Sequence, residues 1–89
     1  MAKIVASFDS YEPVDSYEGR QVIAQARQID GVSAVKVYRA VSGQPRYAVE
    51  VEADEAKLDD VQKGLENWVA PYRSYLSSYS VRVLKEMSL

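Results

Sequence analysis

The sequence VSAVKVYRAVSGQPRYAVEVEA, at residues 32–53, carries the clearest structural pattern in the chain. Residues 32–41 are rich in β-branched side chains, residues 42–45 form a turn cluster with glycine and proline, and residues 46–53 alternate apolar with polar side chains. Two such runs separated by a short turn are typical of a β-hairpin. The hairpin therefore provides two adjacent antiparallel strands of a sheet.

The pairing of the two hairpin strands follows from their apolar side chains. Val35 and Val37 must share a face with the apolar set of the second strand, because a shift by one residue would turn that set to the other side. Lys36 should then lie opposite Glu50 or Glu52. Opposite charges across a strand pair stabilise that register.

Upstream of the hairpin, the pattern predicts one strand and one helix. Residues 3–8 alternate as a half-buried strand does, and Asp15 or Ser16 can cap a following helix, with Glu18 placed as in a capping box. Gly31 is expected to end the helix with positive φ, which glycine adopts without a side-chain penalty. The apolar stripe of this helix comprises Val22, Ile23, Ala26 and Ile29.

Downstream, a second helix and a last strand complete the domain. Asp54 can cap the helix, Pro71 interrupts it, and residues 79–84 alternate as a strand. The apolar stripe comprises Leu58, Val61, Leu65 and Trp68. The whole chain, residues 1–89, is thus predicted to be a single α+β domain of the ferredoxin-like βαββαβ type, with a four-stranded antiparallel sheet and two helices on one face.

The composition excludes several chemistries. The 89 residues include neither cysteine nor histidine, so disulfides, thiolate nucleophiles, the usual zinc sites and imidazole catalysis are absent. We expect no metal site and no cofactor. A domain of this size commonly gains stability from a disulfide, a metal or a partner subunit. Because disulfides and the usual metal sites are absent, we expect self-association into a homodimer to supply this stability.

Charge and hydropathy address location and partners. The formal net charge is -2 and the basic residues are scattered, which argues against nucleic acid or an anionic membrane as the partner. Residues 1–8 are a short alternating run without a long apolar core, so no signal peptide is expected, and no stretch approaches the roughly 20 apolar residues that cross a bilayer. A cytoplasmic location is expected.

The sheet face opposite the helices is the first candidate functional surface. Two helices can cover only one face, so the other must meet water or a partner. Its mixed patch, which we predict to be a dimer interface, comprises Val5, Ala34, Tyr38, Ala48 and Leu84. A sheet face wetted by water is the alternative, since single exposed apolar residues are common.

Charged and aromatic residues supply candidate ligand-binding positions. Tyr38, Glu50 and Arg82 share the uncovered face and could act as acid, base and anion holder, although cross-strand charge pairing explains them more simply. Tyr72 and Tyr75 belong to an aromatic series, with Trp68 and Tyr79, at spacings of four, three and four. The four rings would form one stripe if helical turns continued past the proline, and would then line a pocket or pack in the core.

The chain resembles a known superfamily. The segment Ile29-Asp30-Gly31-Val32, the strand at 33–39 and the hairpin into 46–52 resemble the dimeric α/β-barrel superfamily, which includes EthD-like proteins and antibiotic-biosynthesis monooxygenases. The resemblance implies two sheets packed face to face, with a cavity between each sheet and its helices for aromatic or polyketide substrates or haem. Since several of those families rely on histidine, its absence here argues against histidine-ligated haem chemistry.

Three functional hypotheses follow. The first is a homodimeric ligand-binding or accessory protein whose partner is a small aromatic ligand. The second is a cofactor-free enzyme acting on an aromatic or enolisable molecule, which needs a buried carboxylate beside a cavity, with Glu50 or Glu52 as the candidate. The third is binding of single-stranded RNA on the sheet face, for which Tyr38 alone is a poor stacking platform. No catalytic residue is assigned.

Overall fold

The computed structural model describes residues 2–89 and confirms the predicted fold class. The strand order is β2-β3-β1-β4, and every neighbouring pair is antiparallel. Short 3₁₀ turns precede and follow the second helix, at Glu55–Lys57 and Ala70–Tyr75. The main elements are β1 (Ala2–Ser10), α1 (Tyr17–Ala26), β2 (Val32–Arg39), β3 (Tyr47–Ala53), α2 (Leu58–Val69) and β4 (Leu76–Lys85).

The register of the sheet places the side chains as their alternation predicts. Ile4 of β1 lies opposite Val51 of β3 and Val83 of β4, so these three share the helix-covered face. In the hairpin, Lys36 lies opposite Glu50, as expected. The sequence therefore predicted correctly which residues share a face.

Helix α1 begins where expected and ends earlier. Ser16 is the N-cap, and its side-chain oxygen accepts a hydrogen bond of 3.1 Å from the Gly19 amide. The helix ends at Ala26, because the next amides bond three residues back, as in Ile29 N–H to Ala26 O at 3.3 Å. The prediction that the helix runs to residue 30 was wrong, whereas the positive φ of Gly31, at 92°, was right.

The segment after α2 also differs from the prediction. Asp54 caps the preceding 3₁₀ turn through the Ala56 amide at 3.0 Å, and α2 follows directly. Pro71 stands in the first turn of the 3₁₀ helix that continues to Tyr75. Strand β4 then begins at Leu76, three residues before the predicted start, because its first residues pair with the end of β1 beyond a register shift.

The core lies between the helices and the two central strands. Val49 and Val61 are its largest fully buried side chains. Val37, Val81 and Val83 lie on the same sheet face as this core but are 40–46% exposed. They belong to the edge strands β2 and β4.

Candidate functional site

A cleft of about 590 Å³ separates part of the helical layer from the sheet. Helix α1 forms one wall, the end of α2 with the following 3₁₀ helix forms the other, and β1, β3 and β4 supply the floor. The walls are mainly apolar. The apolar and aromatic side chains that line the cleft include Ala6, Phe8, Val14, Val22, Ile23, Val49, Trp68, Val69, Tyr72, Tyr75, Leu76 and Tyr79.

The four aromatic residues singled out in the sequence all line this cleft, but they come from different secondary-structure elements rather than from one continuous helix. Trp68 lies in α2, Tyr72 and Tyr75 lie in the 3₁₀ helix, and Tyr79 lies in β4. The four rings therefore do not form one helical stripe, yet all of them line the cleft. The chain bends around the cavity and brings the rings in from two sides.

Two contacts hold the aromatic wall in place. The Trp68 indole Nε1 donates a hydrogen bond of 2.8 Å to the carbonyl of Val22 in α1. The guanidinium carbon of Arg73 lies 4.1 Å from the centre of the Tyr79 ring, a cation–π distance. Burial raises the pKa of Tyr79 above its ordinary value.

The charged residues of the cleft lie in α1 and in the loop that precedes it. Glu12 and Glu18 are exposed residues in its lining, and the described residues 2–89 contribute no lysine or arginine to that lining. The oxygens of Ser10 and Ser16 accept hydrogen bonds from the amides of Glu12 and Gly19, which leaves their hydroxyl protons able to donate. The sequence analysis missed Glu12 as a cleft residue, because its place depends on the fold of the loop between β1 and α1.

The other candidate ligand residues lie on the opposite side of the sheet. Glu50 and Arg82 both pair with Val5 on the face away from the helices, and Tyr38 lies opposite Ala48 on that face. The structure thus brings Tyr72 and Tyr75 together in the cleft and keeps Tyr38, Glu50 and Arg82 apart from it. These five residues do not form one site within a single chain.

Glu50 and Glu52 form a charge cluster on that uncovered face. Lys3 Nζ lies 3.1 Å from Glu50 Oε1 and 4.0 Å from Glu52 Oε1. The hydrogen bond to Glu50, followed by the charge of Glu50, raises the pKa of Lys3. Neither carboxylate faces the cleft, so neither can serve as the catalytic carboxylate of that cavity.

The predicted dimer patch is assembled on the uncovered face. Tyr38 and Leu84 are 47% and 40% exposed, whereas the smaller members of the patch are partly shielded by their neighbours. All of them point away from the helices, as their sequence parity predicted. The patch residues are Val5, Ala34, Tyr38, Ala48 and Leu84.

The described part of the chain holds no cluster of three or more carboxylate, histidine or cysteine residues suited to a metal ion. In addition, no helix within residues 2–89 has the length and apolar character required to span a bilayer.

Comparison with known proteins shows the fold. No protein-family model and no curated sequence matches the chain. SnoaB, a cofactor-independent oxygenase from Streptomyces nogalater, is 13% identical over 99% of this chain and 94% of its own, with a TM-score of 0.69. An antibiotic biosynthesis monooxygenase is 15% identical over 99% and 100%, with a TM-score of 0.66.

A third solved structure contains a ligand. It is a variant of MhuD with two manganese protoporphyrin IX molecules bound per active site, 11% identical over 99% of this chain and 96% of its own, with a TM-score of 0.67. These likenesses confirm the fold that the superfamily resemblance implied, and at such low identity they concern the fold alone.

Proposed function

We propose that this chain is a cytoplasmic homodimeric protein that binds an aromatic small molecule in the cleft, as a ligand-binding or accessory protein. The observation that carries the proposal is the convergence of Trp68, Tyr72, Tyr75 and Tyr79 on one largely apolar cavity. Its volume, about 590 Å³, is within the range of small-molecule sites. Aromatic walls suit flat rings, because offset and edge contacts add to the gain from apolar burial.

The charges of the cleft favour a neutral or cationic ligand. Glu12 and Glu18 are its only charged lining residues among those described, and both are acidic. An anion entering the cleft would lose water and meet like charges, which is unfavourable. The tyrosine hydroxyls and the two serines instead offer hydrogen bonds to carbonyl or hydroxyl groups on a ring.

The dimer is supported by the uncovered sheet face. A chain of 89 residues leaves that face without a helical layer, and its apolar members are interspersed with the Lys3, Glu50 and Glu52 charge cluster. A second copy related by twofold symmetry would cover the apolar members and bring the charge clusters of the two chains together. An interface of this kind would bury on the order of 1,200 Å² or more.

A cofactor-free enzyme is the second candidate, and one similarity favours it. SnoaB, whose fold the chain shares, is a cofactor-independent oxygenase. In this chain such chemistry would have to use Glu12, Glu18 or the cleft tyrosines, because Glu50 and Glu52 face the other side of the sheet. Oxygen consumption with an enolisable aromatic substrate would separate this candidate from simple binding.

Ligand binding can be tested by the fluorescence of Trp68, the sole tryptophan. Titration with 1,4-naphthoquinone, a neutral flat ring, should quench the emission saturably, whereas its 2-sulfonate should bind more weakly. Tyr72→Ala should weaken binding by about tenfold, because it removes one aromatic wall.

Tyr11→Ala provides the matched control. Tyr11 is 81% exposed and does not line the cleft, so its loss should leave the affinity unchanged. Quenching that never saturates, or equal weakening in both variants, would refute binding in the cleft.

A further inference from the structure

A second concavity lies on the other side of α1, between that helix and the edge strand β2. It encloses about 670 Å³, and we call it the arginine groove because Arg20, Arg27 and Arg39 line it. Its floor is apolar, formed by Ile23, Val37 and Tyr47. Val14 and Ile23 line both this groove and the cleft, so they form the partition between the two cavities.

The local sequence explains why the arginines face one another. Arg20 and Ile23 are three residues apart and share one side of α1, and Arg27 is the C-cap residue one turn after Ile23. Arg39 follows Val37 by two residues in β2 and therefore points to the same sheet face. Helix and strand thus turn cationic side chains toward a shared apolar floor.

The charge of the arginine groove is opposite to that of the chain. The formal net charge of the chain is -2, yet three guanidinium groups line the groove against a single carboxylate, that of Asp15. The Arg39 Nη2 atom lies 3.7 Å from Asp15 Oδ1, a loose pair, and Arg20 Nε donates to the main-chain oxygen of Asp15 at 3.0 Å. Arg27 forms no salt bridge with any of residues 2–89.

The Tyr47 ring helps to position this cluster. The guanidinium carbons of Arg39 and Arg46 lie 5.7 and 5.4 Å from its centre. Arg46 is engaged elsewhere, because it bonds to Asp9 and to the carbonyl of Ser10. Of these two arginines, Arg39 lines the groove, and its guanidinium group makes a cation–π contact with the buried Tyr47 ring.

We infer that the arginine groove is an anion-binding site that takes a phosphate or carboxylate group attached to an apolar body. Guanidinium groups present paired N–H donors that match the oxygens of both acids. The excess of positive charge favours an anion, and the apolar floor offers a surface for the rest of the molecule. The acidic cleft disfavours the same ligand, so the two cavities would select ligands of opposite charge.

Calorimetric titration with phenyl phosphate, benzoate and inorganic phosphate tests the inference. Phenyl phosphate or benzoate should bind the wild-type chain at one site, and the tighter of the two identifies the acid. Phenyl phosphate should bind about tenfold more tightly than inorganic phosphate, because its ring covers the apolar floor. Arg27→Gln and Arg39→Gln should each weaken binding by about tenfold.

Two control variants separate the groove from its surroundings. Lys63→Gln removes an exposed positive charge from α2 and should leave binding unchanged. Tyr72→Ala alters the cleft and should also leave it unchanged, so failure of the proposed cleft function would not affect this result. Lack of binding of all three probes, or equal weakening by Lys63→Gln and Arg27→Gln, would overturn the inference.

Discussion

Trp68 and Val22 join the two helices directly, through a 2.8 Å hydrogen bond from the indole Nε1 to the Val22 carbonyl. The bond is partly buried and spans 46 residues of sequence. It holds the end of α2 against α1 beside the cleft, and both residues contribute to the cleft lining. The separation between the walls of the cleft therefore depends on this contact.

Replacing Trp68 with Phe should destabilise the chain by about 1–2 kcal/mol, because the indole hydrogen bond to the Val22 carbonyl is lost and the smaller ring packs less well. Urea unfolding followed by circular dichroism measures the change. Tyr75→Phe is the control, since Tyr75 is 56% exposed and keeps its ring. Equal stability of Trp68→Phe and the wild type would show that the hydrogen bond does not hold the helices together.

Gly31→Ala should cost more than Gly43→Ala, although both residues have positive φ, 92° and 85°. A Cβ at Gly31 would lie 2.8 Å from Val61 Cγ2, which belongs to the fully buried core, whereas a Cβ at Gly43 meets nothing within 4 Å. The backbone strain alone is worth about 1 kcal/mol at either position. The difference between the two variants in the free energy of unfolding by urea measures the cost of the clash with Val61. Equal losses of stability would argue against such a clash.

The raised pKa of Tyr79 predicts a loss of stability at high pH. Burial favours the neutral hydroxyl in the folded chain, so the folded pKa lies above the unfolded value of about 10. This contribution to stability is complete below the unfolded pKa and is lost as pH rises through the folded pKa. In spectrophotometric titration, Tyr79→Phe should remove a tyrosinate component with a pKa above 10, whereas Tyr11→Phe should leave that component in place. Loss of the same component in both variants would contradict the assignment.

Tyr38→Asp should weaken the proposed homodimer. The substitution places a charge near the end of edge strand β2, within the proposed interface on the uncovered sheet face, where it would lose water without a partner. Sedimentation equilibrium at micromolar concentration measures the change in association. Val41→Asp adds the same charge to a fully exposed loop position and should have no effect. A monomeric wild-type chain would refute the dimer itself.

Local patterns in the sequence were sufficient to predict the fold. Alternation with period two assigned Val49 and Ala48 to opposite faces of β3, and the structure confirms both. The positive φ of Gly31 was likewise predictable, and Lys36 was predicted to lie opposite Glu50 or Glu52, of which the structure shows Glu50. Each depends on neighbours along the chain or within one hairpin, where backbone geometry leaves few alternatives.

The candidate site was only partly predictable. Tyr72 and Tyr75 were singled out by their spacing, and they do line a cavity. Tyr79 joins them from a strand rather than from a helix. Glu12 entered the cleft lining without any sequence signal, because the path of a loop depends on what it packs against.

The tertiary structure alone decided which charges meet and which surfaces stay open. Glu50 lies opposite Lys36 in its hairpin, yet its carboxylate pairs with Lys3, because the fold inserts β1 beside β3. The same strand order leaves β2 and β4 at the edges, where Val37 and Val81 remain exposed. The alternation of side chains along a strand is a local property of the backbone, whereas long-range packing of the whole chain decides which strands become neighbours. The sequence alone therefore determined which face of the sheet each side chain occupies. The assembled domain determined where the cleft and the arginine groove lie.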